Sequence, residues 1–287
     1  MTYIKLNELS YWHWAKISLG VLWFFAMFFK VVNHGICSYP VGICKLYSFE
    51  PLFGNALGRY SLIGIMILAV WFYIKERYML WTTLVLFSIS LIIITYQESS
   101  GNFARATVYT TVWGAQFLAY LLYNIDRKFD INRYRVQFSI QMVAAAYTLA
   151  GIAKLKASGI GWIYDGPNFS LQVIKNYYFL YADLGHVQYL DKGMLIADFI
   201  VQHPLTTALL LGIALLLEFG CLIVLVSDRT RIIWGIGLVG MHLGIAYIMG
   251  IGISAIAFPM VILFINPLYW LVLFKERVLE YLRANNV

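Results

Sequence analysis

The sequence predicts an all-α fold, a polytopic integral membrane bundle of about eight transmembrane spans with interfacial or re-entrant helices between spans 5 and 6. Three observations carry this. Of 287 residues, 61% are hydrophobic and 12% charged, with mean hydropathy +0.74; a soluble domain averages about 25% charged residues. The apolar residues gather into runs on the scale of a bilayer crossing. The charges fall in the short loops between those runs, and 17% aromatic content suits interfacial belts.

The elements follow in order. Lys5, Glu8 and Lys16 flank Trp12-His13-Trp14, which reads as an interfacial anchor. No cleavable leader is expected, because no small-x-small site follows the first apolar run, Ile17–Val32, which reads as the first span. A turn-rich loop with Cys37 and Cys44 comes next, then a short second span, Tyr60–Ile74. Lys75-Glu76-Arg77 is a tight loop before the third span, Leu80–Tyr96. The fourth is Phe103–Tyr123, and the charged stretch Asn124–Arg135 leads to the fifth, Val136–Ala153, which delivers Lys154 at its outer end.

Leu155–His203 is too polar to cross and too apolar for a linker; Phe169–Leu180 and Leu190–Val201 read as short helices in the interface. Pro204 stands where a helix begins. The sixth span is Leu205–Val226 with Glu218, and the seventh Ile232–Met249 with His242. The eighth, Ile253–Phe274, is kinked at Pro259 and Pro267. Eight spans place both termini on one side. Thirteen of the 21 Lys and Arg then share that side and eight lie opposite, in longer loops. The positive-inside rule makes the termini cytoplasmic, in a bacterial inner membrane. This distribution accounts for the net charge of +7 through the bilayer as partner and without nucleic acid. No internal repeat divides the chain, which reads as one domain over residues 1–287.

Few residues offer chemistry. Cys37 and Cys44 are disulfide candidates in an outer loop, with a redox pair as the second reading. Cys221 reads as an inert core thiol. Lys154 has two readings: an aliphatic stem snorkelling to the headgroups, or a partly desolvated amine able to act as a general base. His242, mid-span, faces the bundle interior, because an ionisable group in hydrocarbon needs partners. Glu218 reads as a partner for Arg229 or Arg231 beyond the end of its span. Gly235, Gly237, Gly240, Gly244, Gly250 and Gly252 permit close helix packing or a flat ligand against bare backbone. No metal-ligand constellation is read.

Ala150-Gly151-Ile152-Ala153-Lys154-Leu155 with Trp162 and Gly166, then Leu217-Glu218, Arg229-Thr230-Arg231, Met241-His242-Leu243-Gly244-Ile245-Ala246 and Met249-Gly250-Ile251-Gly252, resemble the horizontally transferred transmembrane (HTTM) domain, the membrane portion of vitamin K-dependent gamma-carboxylase. The resemblance is best over residues 133–267, and the shared order of short motifs carries it. It implies a quinone as cofactor, with Lys154 as base toward it. Lys154, Trp162 and His242 are expected to border one cavity reached from the outer leaflet. Ala153 departs from the carboxylase, which has a second lysine there; the large luminal region that engages the carboxylase's protein substrate has no counterpart within residues 1–287, so glutamate carboxylation is not expected to transfer. Pro40-Val41-Gly42-Ile43-Cys44 is similar to the compact bacterial subgroup typified by sporulation-delaying protein B, which matures an exported peptide. Three readings follow: a maturation factor for an exported peptide or protein at the outer face, a quinone-dependent enzyme with Lys154 as base, and a non-catalytic lipid- or partner-binding protein.

Overall fold

In the computed structural model, residues 8–32, 47–99, 107–251 and 257–285 are described, and among them there is no strand. The described residues form twelve α-helices, interrupted by short 3-10 and π segments. Cys37 and Cys44 lie outside the described residues. Among the described residues, seven helices are long and apolar enough to cross a membrane. The helices group into two compact units, Met1–Val143 with Phe258–Val287, and Ala144–Ala257.

The first unit contains α1 (Glu8–Val32), α2 (Glu50–Phe53), α3 (Ala56–Ile74), α4 (Met79–Ser99), α5 (Thr107–Ile125), the start of α6 (Ile131–Ser158) and the C-terminal helix α12 (Pro267–Asn285). α1 starts well before Ile17, so Trp12 is a core residue and not an anchor in lipid: it is 1% exposed. α3 is longer than predicted because Asn55 caps it, accepting a hydrogen bond from the Leu57 backbone N–H at 3.0 Å. α5 is a helix as expected, but Thr110, Thr111, Gln116 and Asn124 interrupt its apolar run, and it is not among the seven.

Its Gln116 belongs to a buried polar chain. The Tyr73 hydroxyl donates to Gln116 Oε1 at 2.8 Å, Gln116 Nε2 donates to the Ser139 hydroxyl at 3.2 Å, and Ser139 returns to the Arg135 carbonyl at 2.9 Å. Side chains that cannot reach water satisfy one another in this way. Trp113 is surrounded edge-on by Trp23 and Tyr73, at centroid distances of 6.0 and 4.9 Å.

The break expected at Pro267 is present. Asn266 adopts φ +53° before α12, after a π turn over Val261–Ile265 that follows α11 (Ala257–Met260). A π turn misaligns the helical hydrogen-bond ladder. Tyr11 repairs it, its hydroxyl donating to the Leu263 carbonyl at 2.8 Å while its own carbonyl accepts from Asn266 Nδ2 at 2.8 Å. Pro259 lies within α11 and does not end it.

The second unit takes the remainder of α6 and a 3-10 segment, Gly159–Tyr164, then α7 (Gly166–Leu184), α8 (Gln188–Gln202), α9 (Pro204–Phe219), a second 3-10 segment, Gly220–Leu225, and α10 (Asp228–Met249). The two short helices expected between spans 5 and 6 are α7 and α8, each longer than predicted. They pack as a hairpin around Val173, Tyr177 and Ile200. α10 begins four residues before the expected Ile232, because Ser227 and Thr230 form a reciprocal cap: Ser227 Oγ accepts from the Thr230 N–H and Thr230 Oγ1 from the Ser227 N–H, both at 3.1 Å. The exposed faces of α9 and α10 carry Leu205, Leu209, Leu216, Ile233, Ile236 and Leu243. Surface this apolar suits lipid chains.

Candidate functional site

The site grows from one correction. The fifth span does not end at Ala153. Ile152 and Leu155 continue the apolar pattern, Lys154 and Lys156 are good helix formers, and the helix runs to Ser158 and on as a 3-10 turn to Tyr164, a continuous candidate span of 34 residues. The α-helix gives way at Gly159, whose φ of +60° disfavours any side chain. Lys154 therefore lies ten residues before the end of this continuous stretch.

Inside the span, the ammonium has a partner. Lys154 Nζ donates to Glu218 Oε2 in an ion pair, with the lysine side chain 30% exposed and the glutamate 9%. Glu218 thus pairs with this lysine and not with the arginines beyond it. Arg231 instead bonds Asp228 at 2.7 Å, three residues back on its own helix. The reason is geometric: Glu218 lies on the buried side of α9, whereas Arg229 is on the exposed side of α10. Trp162 closes the site from the other direction, its ring centroid 4.8 Å from Lys154 Nζ. That distance is in cation–π range.

His242 is placed by a residue the sequence reading passed over. Its Nε2 is 2.6 Å from the hydroxyl of Tyr147, and the two rings meet edge to face. Tyr147, Gly151 and Lys154 follow at i, i+4 and i+7, so they share one face of α6. That spacing was the available signal for Tyr147. The structure thus gathers Lys154, Trp162 and His242 along one side of α6, with Glu218 and Tyr147 as their direct partners.

The glycines explain how a carboxylate on α9 reaches an amine on α6. A Cβ on Gly151 would lie 2.9 Å from the Phe219 backbone nitrogen and 3.1 Å from its Cα, next to Glu218. Only a bare backbone allows that approach. Across α9, Gly237 of α10 receives Leu217, whose Cδ2 would be 2.9 Å from an added Cβ. Trp234 Nε1 donates to the Leu217 carbonyl at 2.9 Å, anchoring the same turn. The space beside Gly240 and Gly244 is open. Packing therefore accounts for part of the small-residue pattern and leaves bare backbone at Gly240 and Gly244. Cys221 is buried with a free thiol, as expected.

Chemically, the arrangement is an ammonium–carboxylate pair walled by an indole, with a tyrosine–histidine hydrogen bond two turns along. Such a pair can present a cation to an anionic group beside an aromatic wall. Among the described residues, no group of His, Cys, Asp and Glu could hold a metal ion. Compared with protein-family models, curated proteins and solved structures, the chain finds no match.

Proposed function

We propose that this chain is a compact HTTM-type integral membrane protein that matures or modifies an exported peptide or protein at the outer face of the membrane, with Lys154 handling the reacting proton. The observation that carries the reading is the Lys154–Glu218 pair beside Trp162 on helices apolar enough to cross a bilayer. Charged groups inside such helices are costly and mark functional pathways. The basic loops support cytoplasmic termini in an inner membrane.

The chemistry follows from the pair. When the Lys154 proton moves to Glu218, the amine is free and both groups are neutral, which a low dielectric tolerates. The amine then takes a proton from a weakly acidic group of the substrate, so that one N–H bond forms as the substrate's bond to hydrogen breaks. The resulting ammonium faces the anion left behind and stabilises it. Trp162 shields the amine from water on one side. The quinone that the resemblance implies fits these residues, since Lys154 offers a cation to a ring oxygen and Trp162 an aromatic face. When bound, it would supply the redox equivalents.

Lys154→Arg is the decisive variant. Arginine keeps the charge and the partner but holds its proton at all physiological pH values. Mass spectrometry of exported peptides should then show one product lost or changed in mass relative to wild type, with the protein still present in the membrane. An exported peptide set identical in wild type and Lys154→Arg refutes the reading and leaves a non-catalytic membrane protein.

A further inference from the structure

A second charged cluster lies in the first unit, and its charges do not balance. Glu76, on the turn between α3 and α4, accepts on a single oxygen, Oε1, from Lys16 Nζ at 2.8 Å and from Trp12 Nε1 at 2.8 Å. The same oxygen is 3.7 Å from Arg135 Nη1. Lys16 and Arg135 are both buried, with side chains 9% and 6% exposed, whereas Glu76 is 36% exposed. Among the described residues, Glu76 is the only carboxylate within ion-pair distance of either cation. Two buried cations therefore share one carboxylate.

The arginine is also incompletely satisfied. Its Nη1 donates to the Tyr120 hydroxyl at 3.3 Å and its guanidinium stacks 4.5 Å from the Trp12 ring, but its buried Nε has no hydrogen-bond partner. Glu76 is held in a left-handed backbone conformation, φ +53°, which an ordinary residue adopts only when its surroundings compel it. Buried charges are normally paired and hydrogen-bonded, because desolvation costs several kcal/mol per ion.

We propose that this cluster is an anion site for a phosphate group, and that the phosphate belongs to the headgroup of an anionic phospholipid, phosphatidylglycerol being the simplest. The location argues for a lipid source. The site stands where α1, α3, α4 and α6 meet at their ends, and each of these belongs to a stretch apolar enough to cross a membrane. Their ends lie where hydrocarbon gives way to headgroups. Lys75 and Arg77 flank Glu76, and Arg127, Lys128 and Arg133 precede Arg135, so exposed cations border the buried ones. Basic residues beside a membrane surface attract anionic lipid and contribute about fivefold each in binding. Phosphate oxygens also take several donors at once, as a half-satisfied guanidinium, an ammonium and an indole N–H require. Glu76 acts in this scheme as a tethered competitor that partly fills the site.

That role gives variants of opposite sign. Full-length protein is purified from vesicles of phosphatidylcholine mixed with phosphatidylglycerol, and the lipid retained is counted by native mass spectrometry. Glu76→Gln removes the competing charge and should raise phosphatidylglycerol retention about fivefold. Lys16→Gln should lower it by a similar factor. Phosphatidylcholine should not respond to either. A folding defect would move both variants the same way, so retention that falls in both, or changes in neither, overturns the site. Inorganic phosphate added to the wild type separates the sources. Retention that withstands millimolar phosphate assigns the site to lipid; displacement of the lipid by phosphate alone overturns the lipid assignment in favour of the free anion.

Discussion

Removing the Lys154 charge alone should damage the protein more than removing both charges of its pair. Glu218 is 9% exposed, so Lys154→Met leaves a carboxylate buried without its cation, a loss of about 3–5 kcal/mol. Glu218→Gln is milder. Lys154 is 30% exposed and retains both the Trp162 ring and an amide oxygen as partners, so the loss is that of a charge-assisted hydrogen bond, about 1.5–3 kcal/mol. The double variant removes both desolvated charges and keeps similar volumes. Replacing a buried ion pair by uncharged groups is often neutral. It should therefore be at least about 2 kcal/mol more stable than Lys154→Met. The assay is equilibrium unfolding in mixed detergent micelles, followed by tryptophan fluorescence. A Lys154→Met loss below about 1 kcal/mol, or a double variant whose loss equals the sum of the singles, would show that the pair is not buried as described.

Two further predictions concern geometry and pH. Gly151→Ala should destabilise by about 1–2 kcal/mol, because overpacking against the Phe219 backbone, which cannot rotate away, takes the upper part of the usual cost, about 2–3 kcal/mol, and improved helix propensity returns about 1 kcal/mol. It should also lengthen the Lys154–Glu218 contact; a melting temperature equal to or above wild type would contradict the close approach of α6 and α9. Burial pushes the Glu76 carboxyl up, but the Lys16 hydrogen bond, the Arg135 charge and the Trp12 hydrogen bond outweigh it and hold its pKa below the ordinary carboxylate range. Its stabilising contribution is therefore complete above the unfolded value, about 4.3, and is lost as pH falls through the lower folded value. Unfolding curves from pH 6 down to 3.5 should converge for wild type and Glu76→Gln as the solution becomes acidic, and curves that stay parallel would exclude the linkage.

Secondary structure was largely legible in the chain, for a physical reason. Apolar runs cannot fold in hydrocarbon except as helices, so the helices around Leu80–Tyr96, Leu205–Val226 and Ile232–Met249 emerge close to where composition puts them. Ends were less legible. Hydropathy falls at Lys154, but helix propensity does not, and the helix continued until a glycine stopped it. The N-terminal tryptophans misled in a similar way. Trp12 has the composition of a membrane-belt residue and the position of a core residue, because its N–H reaches Glu76 from 64 residues away.

The candidate site divides along the same line. Lys154, Trp162 and His242 stand out by type and place in the sequence, as ionisable or amphipathic groups among apolar neighbours. Their partners did not. Glu218 had arginines nearer in sequence, and only the approach permitted by Gly151 brought it to Lys154. Tyr147 became the partner of His242 across 95 residues. Sequence alone determined that these helices avoid water and which rare side chains must then find partners, because burial energy is read from residue types one at a time. Which partner each one found was decided by tertiary packing, because helix–helix contact depends on where the small residues let backbones meet.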